Sequence, residues 1–185
     1  MGRPPKFDRA EALQAAMHLF WDRGFDRTSI SDLTAAMGIS PPSLYAAFGD
    51  KQTLFDAAVE LYERSAVVPP ALAAATAHEV FATMLDRAVE LYTRPAHPPG
   101  CFVISDPTLR ARRDSGRDAI ARRLRRAQRT GDLSSEHDVN ALTDYIDLVL
   151  RGLSAKARDG ATRRQLRAAA DIALMAWPAA PSSPQ

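Results

Sequence analysis

Four residues constrain this chain more than any others: Met37, Gly38, Ile39 and Ser40, with Pro41 directly after them. Glycine stops a helix because it enters the left-handed backbone region easily. Serine followed by proline starts one: the hydroxyl caps a free N–H, and proline's missing N–H is no loss at the first helical position. A stop and a start separated by one residue leave room only for a tight turn between two short helices crossing at a steep angle. Apolar residues bracket the turn at helical spacing. Ile30, Leu33, Ala36 and Met37 precede it, and Leu44, Ala47 and Phe48 follow. Ile39 anchors the turn itself. The pattern predicts a helix-turn-helix whose second helix starts under Ser40 and turns Pro41, Pro42, Ser43, Tyr45 and Ala46 outward. A helix enters a DNA major groove from such positions.

The rest of the chain also reads as helix. Asp8 and Glu11 make a capping box with Phe7 as its staple, and Ala12, Leu13, Ala16, Met17, Leu19 and Phe20 form the apolar stripe that follows. Gly24 stops that helix, and Thr28 or Ser29 caps the next. Gly49 ends the outward-facing helix, and Asp50 caps a fourth over 51–64. Val67, Val68, Pro69 and Pro70 are a composition break. A long helix over 74–94 follows, then a proline-rich loop, an ambiguous stretch at 102–106 and a basic helix over 117–129. Ser135 is expected to cap a helix over 136–158, and Thr162 one reaching 177. The expected fold is all-α with about nine helices. A three-helix unit occupies 1–51, a helical bundle 52–178, and a disordered tail 179–185.

Charge narrows the options. The net charge of the 185 residues is +2, and within 1–51 six cationic residues (Arg3, Lys6, Arg9, Arg23, Arg27, Lys51) meet six anionic ones (Asp8, Glu11, Asp22, Asp26, Asp32, Asp50). Any grip on nucleic acid must come from placed groups and not from bulk charge. The single cysteine, Cys101, forbids an intrachain disulfide and fits a reducing cytoplasm. No apolar run approaches the ~20 residues that span a bilayer. His18, His78, His97 and His137 share no metal-ligand spacing with one another or with Cys101, so no metal or other cofactor is expected.

The helix-turn-helix segment resembles the TetR/AcrR family of bacterial repressors. The resemblance runs through Ala16, Leu19, Phe20, Trp21, Gly24, Phe25, Thr28, Ser29, Ile30, Leu33, Ala36, Met37, Gly38, Ile39, Ser43, Leu44, Tyr45, Phe48, Gly49, Lys51, Leu54 and Phe55. A weaker likeness to one subgroup runs through Gly100, Cys101, Arg151, Gly152, Leu153, Ala157, Gly160, Ala161 and Thr162. The resemblance implies a homodimer whose amino-terminal units read a pseudo-palindromic operator. It implies a carboxy-terminal region that binds a small-molecule inducer and then releases the DNA. Tyr45 and Lys51 would touch phosphate, and Thr28 and Ser29 would do so with hydroxyls and helix-start N–H groups. Pro41 and Ala47 stand where many relatives carry a basic residue or glycine, and histidine. Base reading therefore shifts toward Ser43, contact from Pro42 and DNA shape. Residues 1–6, with Arg3 and Lys6, form an arm suited to the minor groove or a plain tail.

Apolar helix faces place the expected inducer pocket near Phe81, Leu85, Tyr92, Phe102, Leu124, Tyr145 and Val149, with Cys101 beside it. Core packing would explain the same residues. Cys101 is either a small buried hydrophobe or a sensor of electrophiles or oxidants, which needs cationic neighbours to lower its pKa. Arg110, Arg112 and Arg113 are near it in sequence. The arginine run from Arg110 to Arg129 reads as a solvated helix face with Ile120 and Leu124 buried. The last two helices carry more apolar surface than one partner covers, which fits a four-helix dimer contact. Two other readings stay open: a helical enzyme, and a DNA-binding protein with no inducer and hence a filled core.

Overall fold

Asp8 starts the first helix by accepting the N–H groups of Ala10 and Glu11 at 2.7 and 3.2 Å. The return bond that a full capping box needs is not formed. The computed structural model describes residues 7–178, so the expected arm at 1–6 and tail at 179–185 lie outside it. The described residues are all-α. Helix α1 spans Arg9–Arg23, α2 Ile30–Met37, α3 Pro41–Phe48 and α4 Lys51–Glu63. The short α5 is Val68–Ala71, α6 is Ala77–Tyr92 and α7 is Phe102–Ser105. A 3-10 turn at Pro107–Leu109 leads into α8, Arg110–Arg129, followed by α9, Val139–Arg158, and α10, Arg163–Met175.

Helix α1 packs on α2 and α4, α6 lies against α9 and α10, and α8 lies against α9. One apolar core runs without a break from Ala12 to Trp177. The amino-terminal helices join the bundle through aromatic rings. Trp21 meets Tyr62 at 4.9 Å between centroids, Phe20 meets Phe55 at 5.0 Å, and Phe102 meets both Tyr62 and Phe55, at 5.7 and 5.8 Å. Edge-to-face contacts of this kind each add about 0.5–1.5 kcal/mol beyond burial. A second group, Phe81, Tyr145 and Trp177, closes the far end of the bundle.

Several expected boundaries move, each for a visible reason. Helix α9 starts at Val139 under Asp138, which accepts the Asn140 N–H at 2.8 Å, and not at 136 under Ser135. The Gln128 amide donates to the carbonyls of Ser134 and His137 and holds that stretch as a turn. The break at Val67–Pro70 is helical, because proline is well suited to a first helical turn. Helix α6 starts later than expected, at Ala77, where Thr76 and Glu79 make a capping box. The basic helix starts earlier, at Arg110. Ala36 is exposed, and Thr34 is buried in its place with its hydroxyl donated to the Ile30 carbonyl at 3.0 Å.

Gly100 has the tightest surroundings of any glycine described. Its φ is +81°, and a Cβ there would meet the Ser154 carbonyl oxygen at 2.8 Å and the Arg158 Cγ and Ser154 Oγ at 2.9 Å. Left-handed strain and overpacking add, so Gly100→Ala is expected to lose about 2–5 kcal/mol of unfolding free energy. Gly160→Ala, also left-handed at φ +88° but with no atom within 4 Å, is expected to lose only about 1–2 kcal/mol. Denaturant unfolding of the two variants side by side checks the difference.

Candidate nucleic-acid interface and an adjoining cavity

The turn between α2 and α3 forms as its residues dictate. Gly38 sits at φ 66°, ψ 30°, in the left-handed region, and the Ile39 N–H returns to the Thr34 carbonyl at 3.1 Å. Ser40 then caps α3: its hydroxyl accepts the Ser43 N–H at 3.4 Å and pairs with the Ser43 hydroxyl at 2.9 Å. Leu44 and Phe48 are buried, which fixes the rotation of α3. Pro41, Pro42 and Ala46 are exposed, Ser43 is half-buried, and Tyr45 is 50% exposed. Tyr45 is not a core residue.

Lys51, at the start of α4, holds its ammonium 4.2 Å from the centroid of the Phe25 ring, a cation–π contact that orients it beside the turn after α1. Ser29 caps α2 through a reciprocal box with Asp32. Its hydroxyl and N–H both go to the Asp32 carboxylate, at 2.5 and 2.9 Å, and these bonds hold that carboxyl below its usual range. Thr28 departs from expectation. It is 1% exposed, and its hydroxyl donates to the Gly24 carbonyl at 2.7 Å, so its side chain fastens the end of α1 and cannot reach a phosphate. Arg9, not singled out in the sequence, lies over the Phe48 ring at 4.6 Å. Only tertiary packing brings those two together.

Behind this unit, a cavity of about 350 Å³ opens among the ends of α4 and α6 and helices α5, α7, α8 and α9. Its lining includes Tyr62, Val68, Tyr92, Cys101, Val103, Ile104, Ile120 and Leu150. Of the residues expected to line a pocket, Tyr92 and Cys101 reach it. Phe81, Leu85, Phe102, Leu124, Tyr145 and Val149 do not. Phe81 and Tyr145 belong to the far aromatic group, where the Tyr145 hydroxyl donates to the Ala173 carbonyl at 2.8 Å. Phe102 fills the junction with α1 and α4, Leu85 and Leu124 are core, and Val149 packs at the core's edge. The bundle is packed around Phe81, Leu85 and Leu124 and open beside the short helices α5 and α7.

Cys101 is buried, accepts the Tyr62 hydroxyl at 3.1 Å, and donates its own N–H to the Ser154 hydroxyl at 2.9 Å. Burial pushes its thiol up, and hydrogen bonds from Tyr62, Ile104, Tyr92 and Val103 offset only part of that. The nearby arginines do not serve it. Arg112 pairs with Glu63 at 3.1 Å, and Arg113 donates to the carbonyls of Val103 and Asp106 at 2.9 and 2.6 Å. Arg110 reaches toward Asp114. The thiol therefore lacks the cationic setting that makes a cysteine reactive. His18 and His97 meet, with ring centroids 4.9 Å apart, but among the described residues no group of three or more His, Cys, Asp or Glu side chains gathers for a metal.

Residues 12–58 match the model of the tetR family of bacterial regulatory proteins. The chain is 32% identical to the Escherichia coli transcriptional repressor ComR, over 96% of this chain and 92% of that protein. It is 34% identical to the Escherichia coli repressor BdcR, over 93% and 90%. Among solved structures it is similar to the TetR family transcriptional regulator CifR, a cysteine mutant in complex with 26-bp operator DNA. That likeness has a TM-score of 0.80 and 39% identity, and covers 96% of this chain and 100% of that one.

Two substitutions separate groups that face outward from groups that hold the unit together. Tyr45→Ala removes a half-exposed side chain from outside the core, so it is expected to keep the fold and to weaken DNA binding by about tenfold. Thr28→Ala is expected to lower folding stability by about 1–2 kcal/mol, with the folded fraction binding DNA as before. Thermal unfolding and a DNA titration on both proteins check this.

Proposed function

Because the chain belongs to the TetR family of bacterial regulatory proteins, we propose that it is a transcription repressor. It binds a pseudo-palindromic operator as a homodimer and leaves it when a small molecule occupies the cavity. It is a regulator and not an enzyme. The observation that carries this reading is the orientation of α3. Leu44 and Phe48 bury one side and leave Pro41, Pro42, Tyr45 and Ala46 on the other, at the start of the helix. The region up to Lys51 reads DNA, and the region from 52 to 178 takes the inducer and the partner subunit.

Since the formal charges of this region cancel, affinity comes from placed groups. Tyr45, Lys51 and the N–H groups at the start of α2, under Ser29, contact phosphates. Ser43, the faces of Pro41, Pro42 and Ala46, and the DNA's own shape supply selectivity, with Ser40 holding the helix start. Two-fold symmetry doubles the set and spaces the two α3 helices by one turn of DNA. No helix among the described residues is long and apolar enough to cross a membrane, and the reading places the protein with DNA in the cytoplasm.

The partner surface is the outer face of α9 and α10. Leu148 is 67% exposed, Ile172 69% and Met175 84%, with Gly152, Ala168, Ala169 and Ala176 open around them. Ala170 and Ala173 belong to the chain's own core. Large exposed apolar side chains on two adjacent helices favour burial against a second copy. The inducer acts by population shift: it binds more tightly to the arrangement in which the two recognition helices no longer match successive grooves.

Retention of a fragment from the source genome identifies the operator. Its affinity is expected to fall about a thousandfold between 50 and 200 mM salt. A flat salt response would contradict the repressor reading. Ile172→Glu is expected to give a folded monomer at micromolar concentration by sedimentation, against a dimer for the unsubstituted chain.

A further inference from the structure

Asp106 is the one charged side chain among the described residues that is fully buried, at 2% exposure. A buried carboxylate needs hydrogen bonds on both oxygens, and here the two oxygens serve different parts of the molecule. Oδ1 stays local, accepting the Thr108 N–H at 2.9 Å and the Thr108 hydroxyl at 2.6 Å. Oδ2 crosses 81 residues of sequence to accept the Phe25 N–H at 2.9 Å, in the turn directly after α1.

Each end of that bond is wired to a site. The Phe25 ring stacks on Phe20, meets Phe55 at 4.8 Å and carries the Lys51 ammonium. Three residues later the chain reaches Thr28 and then the cap of α2. At the other end, Asp106 terminates α7, and Cys101, Val103 and Ile104 of the same short stretch line the cavity. The Asp106 N–H donates back to the Phe102 carbonyl at 3.1 Å, and Arg113 grips the carbonyls of both Val103 and Asp106. The cavity wall and the Asp106 carboxylate therefore belong to one hydrogen-bonded segment. The other hydrogen-bonded tie from the bundle to the end of α1 runs from Arg158 to the carbonyls of Trp21 and Asp22 at 3.5 and 3.4 Å, and Arg158 does not line the cavity; Trp21 also packs on Tyr62, which does.

We propose that Asp106 is the positioning residue through which the cavity controls the DNA-binding unit. An occupant pressing on Val103 and Ile104 draws Oδ2 from the Phe25 N–H and frees the turn that sets Lys51 and the start of α2. This rests on the reading of the cavity as the inducer site. A displacement of under an ångström is enough, because a hydrogen bond fails beyond about 3.5 Å.

The test needs no inducer. Val68→Phe narrows the cavity from α5 and stands in for an occupant. It is expected to weaken operator binding at least tenfold in the otherwise unsubstituted chain and less than twofold in an Asp106→Ala background. Asp106→Asn, whose single oxygen can serve the Phe25 N–H or the Thr108 N–H but not both, is expected to give a sensitivity to Val68→Phe between those of the other two backgrounds. Hydrogen exchange at the Phe25 amide of the full-length chain is expected to speed up at least tenfold in Val68→Phe, which gives the answer even if Asp106→Ala fails to fold. Additive losses in the double variant, or unchanged Phe25 exchange in a Val68→Phe protein that has lost affinity, overturn the role of Asp106 and leave the cavity reading standing. A Val68→Phe protein with full affinity overturns both.

Discussion

The packing of Phe102 against Trp21, Phe55 and Tyr62 is the contact on which the rest of the structure depends. A unit of some fifty residues buries too little surface to be rigid alone. Here the first three helices share α4 and the Phe102 ring of α7 with the bundle, so one core serves both regions. The orientation of α3 is inherited from α1, α2 and α4, and theirs is fixed by this aromatic junction. Helix propensity and caps decide where the helices are. Phe102 decides that the small unit and the bundle are held as one body.

The sequence made the helix-turn-helix legible almost residue by residue. Its signals are local: a glycine that must be left-handed at 38, a serine–proline start at 40 and 41, and buried leucines at 33 and 44. Cap competition was harder to read. Thr28 and Ser29 both offer a hydroxyl to α2. The chain uses Ser29 because its box with Asp32 satisfies two groups at once, while Thr28 turns back to Gly24. Ser135 lost to Asp138 for a reason no local pattern holds, the reach of Gln128 from the preceding helix.

The cavity was the least legible feature. Apolar periodicity tells which side of a helix faces inward, and it says nothing about whether the inside is filled. Phe81, Leu85 and Leu124 are as apolar and as inward as any residue in the bundle, and they pack solidly. The space opens where the chain is irregular, beside the short α5 and α7, and much of its rim is arginine already committed to Glu63, Asp144, Asp147 or backbone carbonyls. Those pairings also explain why a strongly basic helix leaves so little free positive charge at the rim. They leave Cys101 a buried, protonated thiol with a tyrosine on its sulfur.

The paired hydroxyls of Ser40 and Ser43 have one further consequence. They lie 2.9 Å apart, and either can be the donor. If Ser40 donates, the Ser43 hydroxyl hydrogen is free to point outward. If Ser43 donates, it shows only lone pairs. One side chain can thus present a donor or an acceptor to whatever lies opposite, without any heavy atom moving. With prolines before it and alanines after it, α3 carries few groups of fixed polarity at its start. Placed against DNA as proposed, such a surface is permissive at single base pairs and strict about distance. On the proposed reading of a dimer on two half-sites, discrimination falls on their separation and on how readily the DNA between them takes the required shape.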